Sequence, residues 1–179
     1  MSLKFRENPL LRFLVFGTSA YIFWYILYEF ILRGKTHFDE WIVDNIVRGV
    51  EIFLSFLGYS LIAYNDPVWK THVGIQDSLG VTVGAPCDGI VLFALFAIFI
   101  FAFPGPIKHK AWFIPAGIIA IHVLNILRVA ALAIIVDVNP SWLDFNHDYT
   151  FTILVYGAVI GLWYVWIQKF SPLKKVANA

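Results

Sequence analysis

Four stretches of this chain carry almost no charge, and they limit the folds open to it more than any other feature. Phe13 to Leu32 is interrupted only by Glu29, and Gly89 to Ile107 has no charge at all. Ala111 to Val136 is interrupted only by Arg128, and Tyr149 to Gln168 again has no charge. Each, as a helix, is long enough to cross about 30 Å of hydrocarbon. The composition agrees: 60% of residues are hydrophobic and 14% charged, against roughly 45–50% and about 25% in a soluble domain. One globule of this size cannot hide that excess. A disordered chain is excluded on the same ground, and a net charge of +1 with no basic face excludes a nucleic-acid binder. Trp112, Trp142, Tyr149 and Trp166 stand near the ends of these stretches, as an interfacial belt places them. The first stretch is too long for the apolar region of a cleaved signal peptide, and no small-x-small site follows it.

Between the first two stretches the pattern changes twice. Within Trp41–Tyr64, Asp44, Arg48 and Glu51 recur at i, i+4, i+7 and so share one helical face. The second half, Ile52 to Tyr64, is apolar but short. This predicts an amphipathic surface helix leading into a buried or re-entrant piece, with a full fifth crossing as the competing reading. Further on, Val73–Gln76 and Val81–Val83 flank Asp77-Ser-Leu-Gly80, the pattern of a β-hairpin. No repeat or linker divides residues 1–179, so the expectation is a single integral membrane domain.

Charge sets the expected orientation. If the N-terminus, the Lys108-His109-Lys110 turn and the C-terminal tail share a side, that side holds eight basic residues against Glu7 alone. The opposite side holds four basic residues against ten acids. By the positive-inside rule the first side is cytoplasmic, and an even number of crossings is then required. The expected fold is an all-α polytopic membrane protein. It has about four to five transmembrane helices, an amphipathic or re-entrant helix and a small extracytoplasmic hairpin.

With that orientation, three chemically capable residues from three segments approach the extracytoplasmic face. Cys87, the only thiol, leaves no disulfide and no cysteine cluster for a metal. It is either a small buried hydrophobe or a nucleophile at a helix start, where the dipole favours a thiolate and backbone N–H groups hold an oxyanion. Asp88 beside it acts against ionisation. Arg128, within a span, is either a structural or snorkelling cation or a group that neutralises developing negative charge, with Asn125 one turn away to orient it. His147 is either a solvated loop histidine or a general base, its tautomer fixed by Asp144 or Asp148. His122 reads as a core histidine, and His37, His72 and His109 as solvated loop residues. Nothing calls for a metal, nucleotide or other cofactor. The chain lacks His-Glu-x-x-His, Gly-x-Ser-x-Gly and a Walker loop.

The ordered set Gly84-Ala-Pro-Cys87-Asp-Gly89-Ile90, Leu124-Asn125-Ile-Leu-Arg128-Val129 and Phe145-Asn-His147-Asp148 resembles the exosortase/archaeosortase family. The preceding Val73–Val83 hairpin also looks like that family, and the resemblance covers about Val73 to Gly161. It implies a membrane cysteine transpeptidase with no cofactor, its catalytic Cys, Arg and His matching Cys87, Arg128 and His147. It also implies partners: exported proteins with a C-terminal sorting signal (a short motif, one transmembrane helix, a basic cluster) and a membrane lipid or surface anchor as acceptor. Two departures stand out. Asp88 replaces the family's usual Ser or Thr after the cysteine, and the chain is shorter than a typical member. Two other classes compete with the enzyme. One is a non-enzymatic membrane scaffold in which Arg128 pairs with Glu29 or with an acid of another subunit. The other is a small transporter, made less favourable by spans whose only carboxylate is Glu29.

Overall fold

The computed structural model describes residues 8–33, 36–62, 71–84 and 87–172. Of the charges used to orient the chain, Lys4, Arg6, Glu7, Lys35, Asp66, Lys70, Lys174 and Lys175 lie outside these residues. The described chain is predominantly helical. Three helices, Leu10–Leu32, Ile107–Val138 and Pro140–Phe170, are long and apolar enough to cross a membrane. Their exposed faces carry large apolar side chains such as Phe23, Phe30, Ile119 and Ile153, a surface suited to lipid rather than water.

The first helix, α1 (Pro9–Leu27), opens with Pro9 and is capped by Asn8, whose side-chain oxygen accepts the N–H groups of Leu10 and Leu11. It widens into a π turn over Tyr28–Leu32. There Glu29 lies 2.7 Å from the Arg33 guanidinium, one helical turn on. The lone carboxylate of this stretch is thus neutralised locally, by a residue at its end.

Helix α2 (Phe38–Phe56) is amphipathic as expected: Ile42, Val43, Ile46, Val47, Val50 and Leu54 are buried along one stripe, while Asp44 and Arg48 pair at 2.9 Å on another face. Of the buried or re-entrant piece expected over Ile52–Tyr64, the described residues to 62 are largely exposed rather than buried. The helix ends at Phe56, where Tyr59 N–H bonds the Leu54 carbonyl and Gly58 N–H that of Ser55. This is a Schellman-type stop, with Gly58 at φ 88°. The chain then runs extended, its backbone groups satisfied by Gly74–Gln76 through Ile62 N–H to Gly74 O and Gln76 N–H to Ser60 O.

The hairpin forms where the turn residues called for it. Strands β1 (His72–Val73) and β2 (Val81–Thr82) pair antiparallel, with His72 opposite Thr82 and Val73 opposite Val81. His72 is not a solvated loop residue. Its ring bonds Thr82 Oγ1 at 2.8 Å and the Leu79 carbonyl at 3.0 Å, stapling the turn. Gly80 is required there twice over, by φ 64° and because a Cβ would stand 2.5 Å from His72 Nε2.

Helix α3 (Ile90–Ala102) covers only 13 residues of the uncharged stretch from Gly89 to Ile107. At about 1.5 Å per residue it reaches roughly 20 Å, and the apolar chain continues beyond it to Phe103. Gly89, at φ 80°, stands before its start, and Pro104-Gly-Pro106 ends it beyond Ala102. The next helix, α4 (Ile107–Val138), is 32 residues long and contains Pro115. The last, α5 (Pro140–Phe170), starts as a tight turn over Pro140–Trp142, widens to a π turn over Asn146–Thr150 and continues as α-helix from Phe151.

Contacts group the chain into two compact units. One contains α1, α3, the first part of α4 to Ala120 and α5 from Gly157. Its core is aromatic: Phe99 stacks on Trp163 at 4.3 Å and meets Phe13 edge-on at 5.3 Å, while fully buried Trp166 packs on Phe113 and Phe170. Gly117 lies directly under the ring of buried Phe96, so that a Cβ would overlap it. Gly117→Ala is therefore expected to cost about 1–3 kcal/mol of stability, as overpacking of a dense core does. A lowered midpoint of thermal unfolding in detergent checks this, and an unchanged midpoint contradicts it. The second unit contains α2, the hairpin, the turn through Gly89, α4 from Ile121 and α5 up to Tyr156. Ile126 packs over Gly49, and Val129, Ala130, Leu132, Ala133 and Val136 are buried.

Candidate active site

All three residues singled out by sequence lie in the second unit, and the structure brings them together. Cys87 stands in a tight turn just before α3, its N–H bonded to the Gly84 carbonyl at 2.8 Å. That position corrects the expected helix start. The Cys87 amide is already taken, so it offers no donor to an oxyanion. The turn is held from the other side by Asn125, fully buried on α4, whose amide donates to the Cys87 carbonyl at 2.6 Å. Sequence reasoning placed Asn125 beside Arg128 but missed this second bond. An amide carries a donor and an acceptor at opposite corners, and it joins cysteine and arginine by using both.

Arg128 lies one turn along α4 and is buried. Its Nη1 is 3.5 Å from Asn125 Oδ1 and its Nη2 3.9 Å from Cys87 Sγ. Its Nε is buried with no hydrogen-bond partner among the described residues. A buried donor of this kind is costly to leave unsatisfied, and an incoming oxygen would satisfy it.

His147 sits in the π turn of α5. Such wide turns displace side chains from regular helical register and recur at functional sites. Thr152 Oγ1 donates to the His147 carbonyl at 3.1 Å. The imidazole spans two partners: Nε2 lies 3.0 Å from Cys87 Sγ, and Nδ1 lies 2.9 Å from Asp148 Oδ1. Of the two candidates for orienting the ring, Asp148 is the one in contact. A carboxylate only accepts, so Nδ1 carries the proton and the Nε2 lone pair faces the sulfur. Cysteine, histidine and aspartate therefore form a chain of donor to acceptor, with the guanidinium on the other side of the sulfur. His122 forms no part of this chain.

Burial pushes the Cys87 thiol above its ordinary range. The Arg128 guanidinium and the Gly84 hydrogen bond pull the other way, and buried Asp88 adds to the rise. The balance keeps sulfur protonated at rest, so a base is needed to activate it. This balance predicts three labelling outcomes. Alkylation of Cys87 by iodoacetamide is expected to keep accelerating past about pH 8.5, where an ordinary thiol is half ionised. Asp88→Asn should move the curve to lower pH and Arg128→Gln to higher pH. A plateau near neutrality in the unmodified protein would contradict the balance described.

Among the described residues no cluster of three or more His, Cys, Asp or Glu is disposed to hold a metal ion. The structure thus combines a helical protein of transmembrane character with a thiol–imidazole–carboxylate chain and an adjoining guanidinium. Comparison with family models, with curated proteins and with solved structures returns no match.

Proposed function

We propose that this chain is an integral membrane cysteine peptidase and transpeptidase, similar in its site to the exosortase/archaeosortase family. In this reading it cleaves a C-terminal sorting signal of exported proteins at the extracytoplasmic face and transfers the new C-terminus to a membrane lipid or surface anchor. The observation that carries it is the 3.0 Å approach of Cys87 Sγ to His147 Nε2, with Asp148 behind the ring. The extracytoplasmic placement rests on the excess of basic residues assigned to the opposite side, eight against four.

In this mechanism His147 Nε2 takes the thiol proton as sulfur bonds to the substrate carbonyl carbon. The carbonyl π electrons move onto oxygen, and Arg128 donates hydrogen bonds to that oxyanion. Collapse of the adduct breaks the C–N bond, the proton on His147 passes to the leaving amine, and a thioester remains on Cys87. An amine of the acceptor then attacks the thioester, the C–S bond breaks, and His147 carries a proton from that amine back to sulfur. Water in place of the amine gives hydrolysis. The substrate's own helix packs beside the spans, so that tethering supplies much of the rate by proximity.

The test is capture of the thioester. The protein is co-expressed with an exported protein carrying a C-terminal apolar helix and basic cluster, then quenched in acid and digested. A substrate peptide attached through Cys87, and released by hydroxylamine, is the expected product. Cleaved substrate with the adduct on another residue would remove Cys87 from the nucleophile role.

A further inference from the structure

The first unit holds a cavity of about 440 Å³ that the peptidase reading does not use. Arg12 and Lys110 line it together with Phe13, Phe16, Ala102 and Phe103. Both cations stand in the first turn of a helix, Arg12 on α1 and Lys110 on α4, and neither first turn contains an acid. This inverts the usual arrangement. The N-terminal end of a helix carries partial positive charge and favours anions, yet here each end adds a cation to it. Lys110 is buried, with Nζ donating to the Phe101 carbonyl at 2.7 Å and lying 5.7 Å from the centre of the Phe101 ring. One of its three protons is used in that bond, and two remain for another acceptor. Among the described residues no carboxylate pairs with either cation. Two helix ends, a buried ammonium and a guanidinium thus raise a positive potential beside an apolar, aromatic wall. A free anion has no use for the wall, and an uncharged lipid has no use for the cations.

We propose that this cavity binds an anionic phospholipid, its phosphate between Arg12 and Lys110 and the start of an acyl chain against Phe13, Phe16 and Phe103. The two helices whose first turns meet here are both long and apolar enough to cross a membrane, which puts the cavity at headgroup depth. The positive-inside assignment makes that leaflet the cytoplasmic one, where anionic lipid is abundant. The proposal rests on the membrane reading of these helices and not on the peptidase reading, so loss of activity at Cys87 leaves it untouched.

The experiment uses the purified full chain in a neutral detergent. Phosphatidylglycerol, phosphatidylcholine or inorganic phosphate is added, with retained lipid read by native mass spectrometry and the unfolding midpoint read alongside. Phosphatidylglycerol should stay bound and raise the midpoint, and phosphatidylcholine should do neither. Arg12→Gln and Lys110→Gln should each lower its retention about fivefold. Lys169→Gln, which removes an exposed cation outside the cavity, should leave it unchanged. Arg12 is exposed, so its variant keeps the test valid even where the buried lysine is needed for folding. Equal retention of phosphatidylcholine, undiminished retention in Arg12→Gln, or an equal loss in Lys169→Gln overturns the site. The same midpoint shift from inorganic phosphate alone overturns the lipid as its occupant.

Discussion

Cys87→Ala is expected to abolish substrate processing, and Cys87→Ser to do nearly the same, each lowering the rate about 10⁴-fold or more. Alanine removes the atom that forms the acyl bond. Serine keeps a similar shape but offers an oxygen that ionises far less readily than sulfur, in a place where burial already disfavours the anion. Both variants should fold, because Cys87 is only partly buried and the turn is held by the Cys87 N–H bond to the Gly84 carbonyl and by the Asn125 side-chain amide bonded to the Cys87 carbonyl. The measurement is the ratio of processed to unprocessed substrate at equal amounts of membrane-inserted protein. Processing by either variant at a tenth of the normal rate would end the nucleophile assignment.

His147→Asn is expected to lower processing by about 10²–10⁴-fold, the usual contribution of a positioned base. It should also change how the rate depends on pH. Without the imidazole, attack requires sulfur that has already ionised. The thiolate fraction rises tenfold per pH unit below the thiol's own pKa. Because burial holds that pKa above its ordinary range, the residual rate should go on climbing past about pH 8.5. A variant rate that is flat over the same range would show that His147 does not activate the thiol. Asp148→Asn should fall in the same direction by less, since the 2.9 Å bond to Nδ1 orients the ring without touching sulfur.

Much of this architecture is written in charge. The apolar stretches could be read directly because a charge inside hydrocarbon is costly; the long α4 and the outer two helices match those stretches closely. At Gly89–Ile107 the helix is shorter than the apolar stretch, and the signal for its end was in plain view: Pro104-Gly-Pro106 follows Ala102 and disfavours a further turn. The extended run after α2 was not legible for a different reason. Ser60 and Ile62 find their backbone partners in Gly74–Gln76, and pairing across that separation leaves no local mark. At the site, the gathering of Cys87, Arg128 and His147 came from counting charges, without any geometry. The choice of Asp148 over Asp144, the Asn125 bond to the Cys87 carbonyl and the capture of the Cys87 amide by Gly84 depend on distances of a few tenths of an ångström. No spacing rule encodes those.

The widened turn at Asn146–Thr150 has one more effect on α5. Such a turn holds an extra residue compared with a regular one, which shifts the helical phase by about 100° between the segments on its two sides. Just downstream, Val155 is buried. His147 lies within the turn itself, so the angle at which its imidazole projects is set by that extra residue. Deleting one residue of the turn would therefore rotate His147 by up to about 100° relative to the buried Val155 and carry the imidazole off the sulfur.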